Sequence, residues 1–98
     1  MFTQNFPASV LINEVSTRDG FQSEDIFIPT EKKIDMINRL SLLGLNKIEV
    51  TSFVSPKAIP NLRDAEQVLA GINRNPAVTY VALVPNERGV ERALASKV

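Results

Sequence analysis

Three short β-prone runs alternate with three stretches of helical periodicity, and that alternation limits the possible folds more than any other feature. The runs are VLINEV (10–15), KIEVTS (within about 46–52) and VTYVALV (78–84), and the helical stretches cover about 31–43, 62–72 and 87–97. The runs are mostly apolar rather than alternating, as expected of strands covered on both faces. Strands separated by helical crossovers pair in parallel, with right-handed connections.

Local punctuation supports the division. Pro29 and Thr30 precede the first helix, with Thr30 as the expected N-cap. Ile34, Ile37, Leu40 and Leu43 form its expected buried stripe, with Met36 on the flank, and Gly44 supplies a left-handed stop. Ala65, Val68, Leu69 and Ile72 mark the second helix. Asn86, after Pro85, is most simply the N-cap of the third, which runs to Val98 with no glycine, asparagine or proline to end it.

Neither G-x-G-x-x-G nor a P-loop follows any strand, which argues against a doubly wound nucleotide-binding sheet. In the (β/α)8 barrel, chemistry sits where strands end and βα loops begin. The polar clusters occupy that position: Arg18 and Asp19 after the first strand, Glu49 to Ser52 at the end of the second, Asn86 after the third. The expected fold class is therefore α/β, a partial (β/α)8 TIM barrel comprising the first three βα units with parallel strands. Eight such units take roughly 250 residues, so residues 1–98 read as the N-terminal fragment of a barrel domain.

Lysine plus arginine equals aspartate plus glutamate, 11 of each, so no nucleic-acid or anionic-membrane partner is advertised. The first residues carry neither a basic segment with an apolar core nor an arginine-rich transit pattern, and no apolar run approaches the roughly 20 residues of a membrane span. A cytoplasmic location is expected. With no cysteine, disulfides and zinc ribbons are excluded; there is no histidine either.

The chemistry-bearing candidates are few. Asp19, expected to be held by Gly20 in a tight turn, offers a hard oxygen ligand suited to magnesium, manganese or calcium; a solvated turn residue is the plainer reading. Arg18 can present parallel donors to a carbonyl or enolate oxygen, or can simply pair with Asp19. Glu49 is an acid in a strand heading for a core, where it needs a partner: it could face a ligand, hold Arg18, or end a polar row. Ser52 could donate to a substrate oxygen. Glu14 reads as structural, a charge that finds a basic partner.

At this point STRDGFQSE resembles the R-D-G-x-Q signature of the metal-dependent barrel lyases and aldolases known as DRE-TIM metallolyases. IEVTSFVSPKAIPN narrows the likeness, because E-x-T-S-F-V-S-P-K is similar to 3-hydroxy-3-methylglutaryl-CoA lyases in particular, as is LVPNERGVERAL. The resemblance runs from about Val10 to Leu94. It implies retro-Claisen cleavage of an acyl-CoA substrate to acetyl-CoA and acetoacetate, with Asp19 a ligand of a divalent metal (Mg2+ or Mn2+). It further implies Arg18 as a catalytic and substrate-binding group, Glu49 as an active-site acid, and Ser52 as a substrate-proximal hydroxyl. Ser16 replaces the glycine of some relatives, and Phe21 stands where leucine or glutamate is common.

The family completes its metal site with an H-x-H pair and an asparagine, and adds a cysteine from a mobile loop. This chain has neither histidine nor cysteine, so alone it is expected to be inactive. Open sheet edges predict a homo-oligomer formed through exposed barrel strands. The alternatives are another DRE-TIM member (a synthase, aldolase or carboxyltransferase) and a non-catalytic assembly module of barrel ancestry.

Overall fold

A computed structural model describes residues 8–98. The chain runs β1 (Asn13–Glu14), a π-helical turn (Ser16–Gly20), α1 (Thr30–Leu40), β2 (Lys47–Ser52), a 3-10 turn (Pro60–Leu62), α2 (Ala65–Gly71), β3 (Thr79–Leu83) and α3 (Glu87–Ala95). The strands form one parallel sheet in the order β1-β2-β3, so α1 and α2 are each a crossover to the neighbouring strand. This is the partial TIM barrel the alternation calls for.

The core lies between the sheet and the helices. Ile48, Val50 and Phe53 from β2 and its end meet Ile37 of α1 and Ala65, Val68 and Leu69 of α2, all at most 3% exposed. Tyr80, Ala82 and Val84 pack on the same cluster. The four residues expected to line the second helix are all buried. Gly44 has φ 79°, the left-handed geometry that ends the α1 segment and that a Cβ would oppose.

Several local expectations are corrected. The strand expected over 10–15 shrinks to two residues, because only β2 lies beside it; Val10, Leu11 and Ile12 are exposed. Residue 12 still touches β2 through Ile12 N to Asn46 Oδ1 and Lys47 N to Ile12 O, both 3.3 Å. Thr30 is the first residue of α1 rather than its N-cap, and its hydroxyl donates to Asp64 Oδ2 at 2.6 Å instead. α1 stops at Leu40, so Leu43 is 70% exposed rather than part of the stripe. Ser41 fixes that end: its Oγ donates to Ile37 O and accepts from the Tyr80 hydroxyl, both at 2.7 Å.

The second helix starts at Ala65 after the separate 3-10 turn. α3 ends at Ala95 and Lys97 adopts φ 57°, while Arg74 donates to the carbonyls of Ser96 and Lys97 at 3.0 and 2.6 Å. The stop that the sequence lacked comes from a distant arginine. Asn86 does cap α3, its Oδ1 accepting from Gly89 N at 2.8 Å.

Candidate active site

β1 ends at Glu14, and the chain winds at once into the π-helical turn that carries Arg18 and Asp19. Val15 O accepts from Arg18 N at 3.1 Å and from Asp19 N at 2.7 Å, and Phe21 N closes onto Ser16 O and Arg18 O. Gly20 is therefore not a tight-turn hinge: its φ is not positive, and a Cβ there would meet Ser16 Cβ only at 3.8 Å. Thr17 fastens the turn to the sheet. It is buried, and its Oγ1 donates to Glu49 O at 2.9 Å.

With Thr17 pinned, Arg18 lies along β2, where its Nε donates to Glu49 Oε1 at 2.5 Å. Nη1 lies 3.3 Å from Asp19 Oδ1. The exposures divide the three residues: Glu49 is 13% exposed, Arg18 21% and Asp19 65%. Arg18 and Glu49 form a half-buried pair, while the Asp19 carboxylate stands in solvent.

A bulge in β2 decides which residues share a face. Glu49 pairs with Val81, but Thr51 pairs with Ala82 and Ser52 with Leu83, leaving Val50 as an extra residue. Paired residues share a face and side chains alternate along a strand. Val50 and Thr51 therefore both turn toward the helices, and Ser52 returns to the face of Glu49, Val81 and Leu83. Without the bulge, Glu49 and Ser52 would point to opposite sides.

Ser52 is buried, and its Oγ accepts from Val54 N at 3.2 Å. It braces the turn out of β2 and is not open to solvent in this structure. Glu14 forms no ion pair among the described residues; it accepts from Ser16 N at 2.9 Å, and that backbone N–H holds its carboxyl below the usual range. The expected basic partner is not found among the described residues.

Behind the polar cluster lies a network that the sequence reading missed. Lys33 Nζ donates to Asp64 Oδ1 and to Asn61 O, both at 2.6 Å, and both charged side chains are buried. Asn61 Nδ2 donates to Glu24 O at 2.6 Å and to Gln22 O at 3.4 Å. The loop after β1 is thus tied to the loop after β2. Lys33 sits one helical turn before Ile37, on the buried stripe, and that placement is the signal that could have found it.

These residues do not amount to a divalent-cation site. Among the described residues no group of three or more His, Cys, Asp or Glu side chains comes together. Asp19 offers one carboxylate where such an ion takes about six ligands, and Glu49 is engaged with Arg18.

No family model matches the chain. Against individual proteins the likeness is strong: it is 58% identical over 89 residues to "Hydroxymethylglutaryl-CoA lyase YngG" of Bacillus subtilis, covering 91% of this chain and 30% of that protein. The crystal structure of the Bacillus subtilis HMG-CoA lyase superposes with TM-score 0.92 at 56% identity, over 95% of this chain and 31% of that one. The chain is a homologue of the hydroxymethylglutaryl-CoA lyases. An HMG-CoA lyase from Acinetobacter baumannii, in complex with coenzyme A and 3-methylmalate, matches 89% of this chain and 28% of its own, with TM-score 0.87 at 54% identity. The chain spans about three-tenths of the length of the lyases it matches, and the two polar clusters lie at the C-terminal ends of barrel strands, where that architecture keeps its chemistry.

Proposed function

We propose that this chain supplies part of the active site of a carbon-carbon lyase that cleaves 3-hydroxy-3-methylglutaryl-CoA. In that reaction the tertiary hydroxyl loses its proton, the adjacent C–C bond breaks, and its electron pair passes to the thioester as an enolate. Protonation of the enolate then gives acetyl-CoA, and the other product is acetoacetate. Arg18 would bind substrate and stabilise the enolate oxygen, because two of its nitrogens are held by Glu49 and Asp19 while Nη2 has no partner among the described residues. Glu49 would aim that guanidinium. Ser52, on the Glu49 face, would offer its hydroxyl to substrate if the loop that buries it shifts.

The carrying observation is the Arg18–Glu49 pair at the strands' C-terminal ends. Asp19 is the chain's candidate ligand for a divalent ion, magnesium or manganese; its other donors would have to be residues other than these. Relatives include both cytoplasmic and mitochondrial lyases, and a cytoplasmic location, as for the former, is part of this proposal. No helix among the described residues is long and apolar enough to cross a membrane. Association into a homo-oligomer through the edges of β1 and β3 belongs to the same proposal.

The test is a chimera in which residues 10–94 replace the matching segment of the Bacillus subtilis lyase. It should form acetoacetate from the thioester, and Arg18→Ala should lower kcat by on the order of 100-fold or more, as for loss of an oxyanion donor. A folded chimera without turnover, or one indifferent to Arg18, would overturn the reading.

A further inference from the structure

A cleft elsewhere in the molecule is not lined by the Arg18–Glu49 cluster. That cleft, of about 810 Å³, opens between the loop after β2, the first turns of α2 and the start of α3. Its titratable lining is Lys57, Arg63, Glu66, Arg88 and Arg92: four cations against one carboxylate. The acids on α3, Glu87 and Glu91, are not part of it.

The cations differ in availability. Arg92 is committed to Glu66, with Nε–Oε2 at 2.6 Å and Nη2–Oε1 at 2.7 Å, and its Nη1 donates to Val54 O at 3.2 Å. This closed pair makes one wall. Arg63 lies 3.7 Å from the centroid of the Phe27 ring and donates one bond to Pro60 O at 3.1 Å. It is held in place with donors to spare. Lys57 and Arg88, both exposed, have no hydrogen bond or ion pair among the described residues. Three uncompensated cations thus converge from two loops and a helix.

The floor is rigid. Gly89 lets the first turn of α3 press against the end of β2, where a Cβ would fall 2.8 Å from Phe53 O. Neutral polar groups, Ser55, Gln67 and Asn86, complete the lining. A diphosphate offers three cations on two loops and a helix more acceptor oxygens than a single phosphate does, and its charge comes closer to theirs. We propose that this cleft is an anion subsite for the diphosphate group of a small molecule, with Lys57, Arg63 and Arg88 as its donors.

Calorimetric titration of the 98-residue protein with inorganic pyrophosphate tests this. Saturable binding is expected, weakening with salt. Lys57→Glu and Arg88→Glu should each reduce affinity about 10–100-fold, the loss of a charge-assisted hydrogen bond. Lys47→Glu makes the same charge change at the opposite end of β2 and should leave affinity within about twofold. Both cleft residues are exposed and without partners among the described residues, so the variants should fold, with circular dichroism as the check. Coenzyme A as competitor identifies the source: displacement of pyrophosphate assigns the subsite to a nucleotide thioester, and no displacement to another diphosphate. Absence of binding at millimolar pyrophosphate, or an equal loss in Lys47→Glu, would sink the proposal.

Discussion

The two faces of the three-stranded sheet are built on opposite terms. On the helix side, Ile48, Val50 and Phe53 are sealed under α1 and α2, and even the charges there, Lys33 and Asp64, have every partner in place. On the other side, Glu49 is half-buried against Arg18, Leu83 is 47% exposed, and Asp19 stands in water. The first face carries the stability of the fold and tolerates little change. The second holds polar groups that packing does not require, and so it is the side where function can be sought.

The sharpest way to break this division is to disturb a charge on each side. Lys33→Ala should destabilise the protein by about 3–5 kcal/mol, because it strands a buried carboxylate. A urea midpoint measures it, and Lys33→Met with Asp64→Leu should recover most of the loss. Arg18→Ala should cost no more than about 1 kcal/mol, since its pair borders solvent. If the two substitutions proved equally costly in the same denaturation experiment, the polar cluster would be structural and the two faces would not differ in kind.

The smallest effect comes with acid. Arg92's hydrogen bonds hold the Glu66 carboxyl below its usual range against the opposing cost of burial, and the Ser16 backbone does the same for Glu14. A carboxyl lowered by folding binds fewer protons folded than unfolded. Its contribution is full above the unfolded value of about 4.3 and disappears as pH falls through the folded one. Melting temperature should therefore hold steady down to about pH 5 and decline below about pH 4, with a shallower decline in Glu66→Gln. A melting temperature that rises on acidification would contradict this assignment.

Much of the architecture could be read from the residues. The apolar runs and stripes located three strands and three helices, and Asn86 and Gly44 do what their chemistry suggests. Arg18 and Glu49 stand out as charges in or beside strands, and the structure joins them. The rest depended on long-range partners with no local signature. No local pattern singles out Thr17, yet it fastens the turn to a carbonyl 32 positions away. Ser52 read as a hydroxyl able to donate to substrate, because nothing local shows that the next turn folds back over it. Arg74 ends a helix that begins 13 residues after it.

The extra residue in β2 carries a consequence beyond geometry. Facing along a strand is a matter of odd and even, and Val50 shifts the count by one just before the strand's mouth. Were the bulge straightened, so that Val50 took its place opposite Ala82, Thr51 would turn to the acid's side and Ser52 toward the helices, with every side chain's identity unchanged. Substitutions alter what this site presents, while the bulge decides which residues present it.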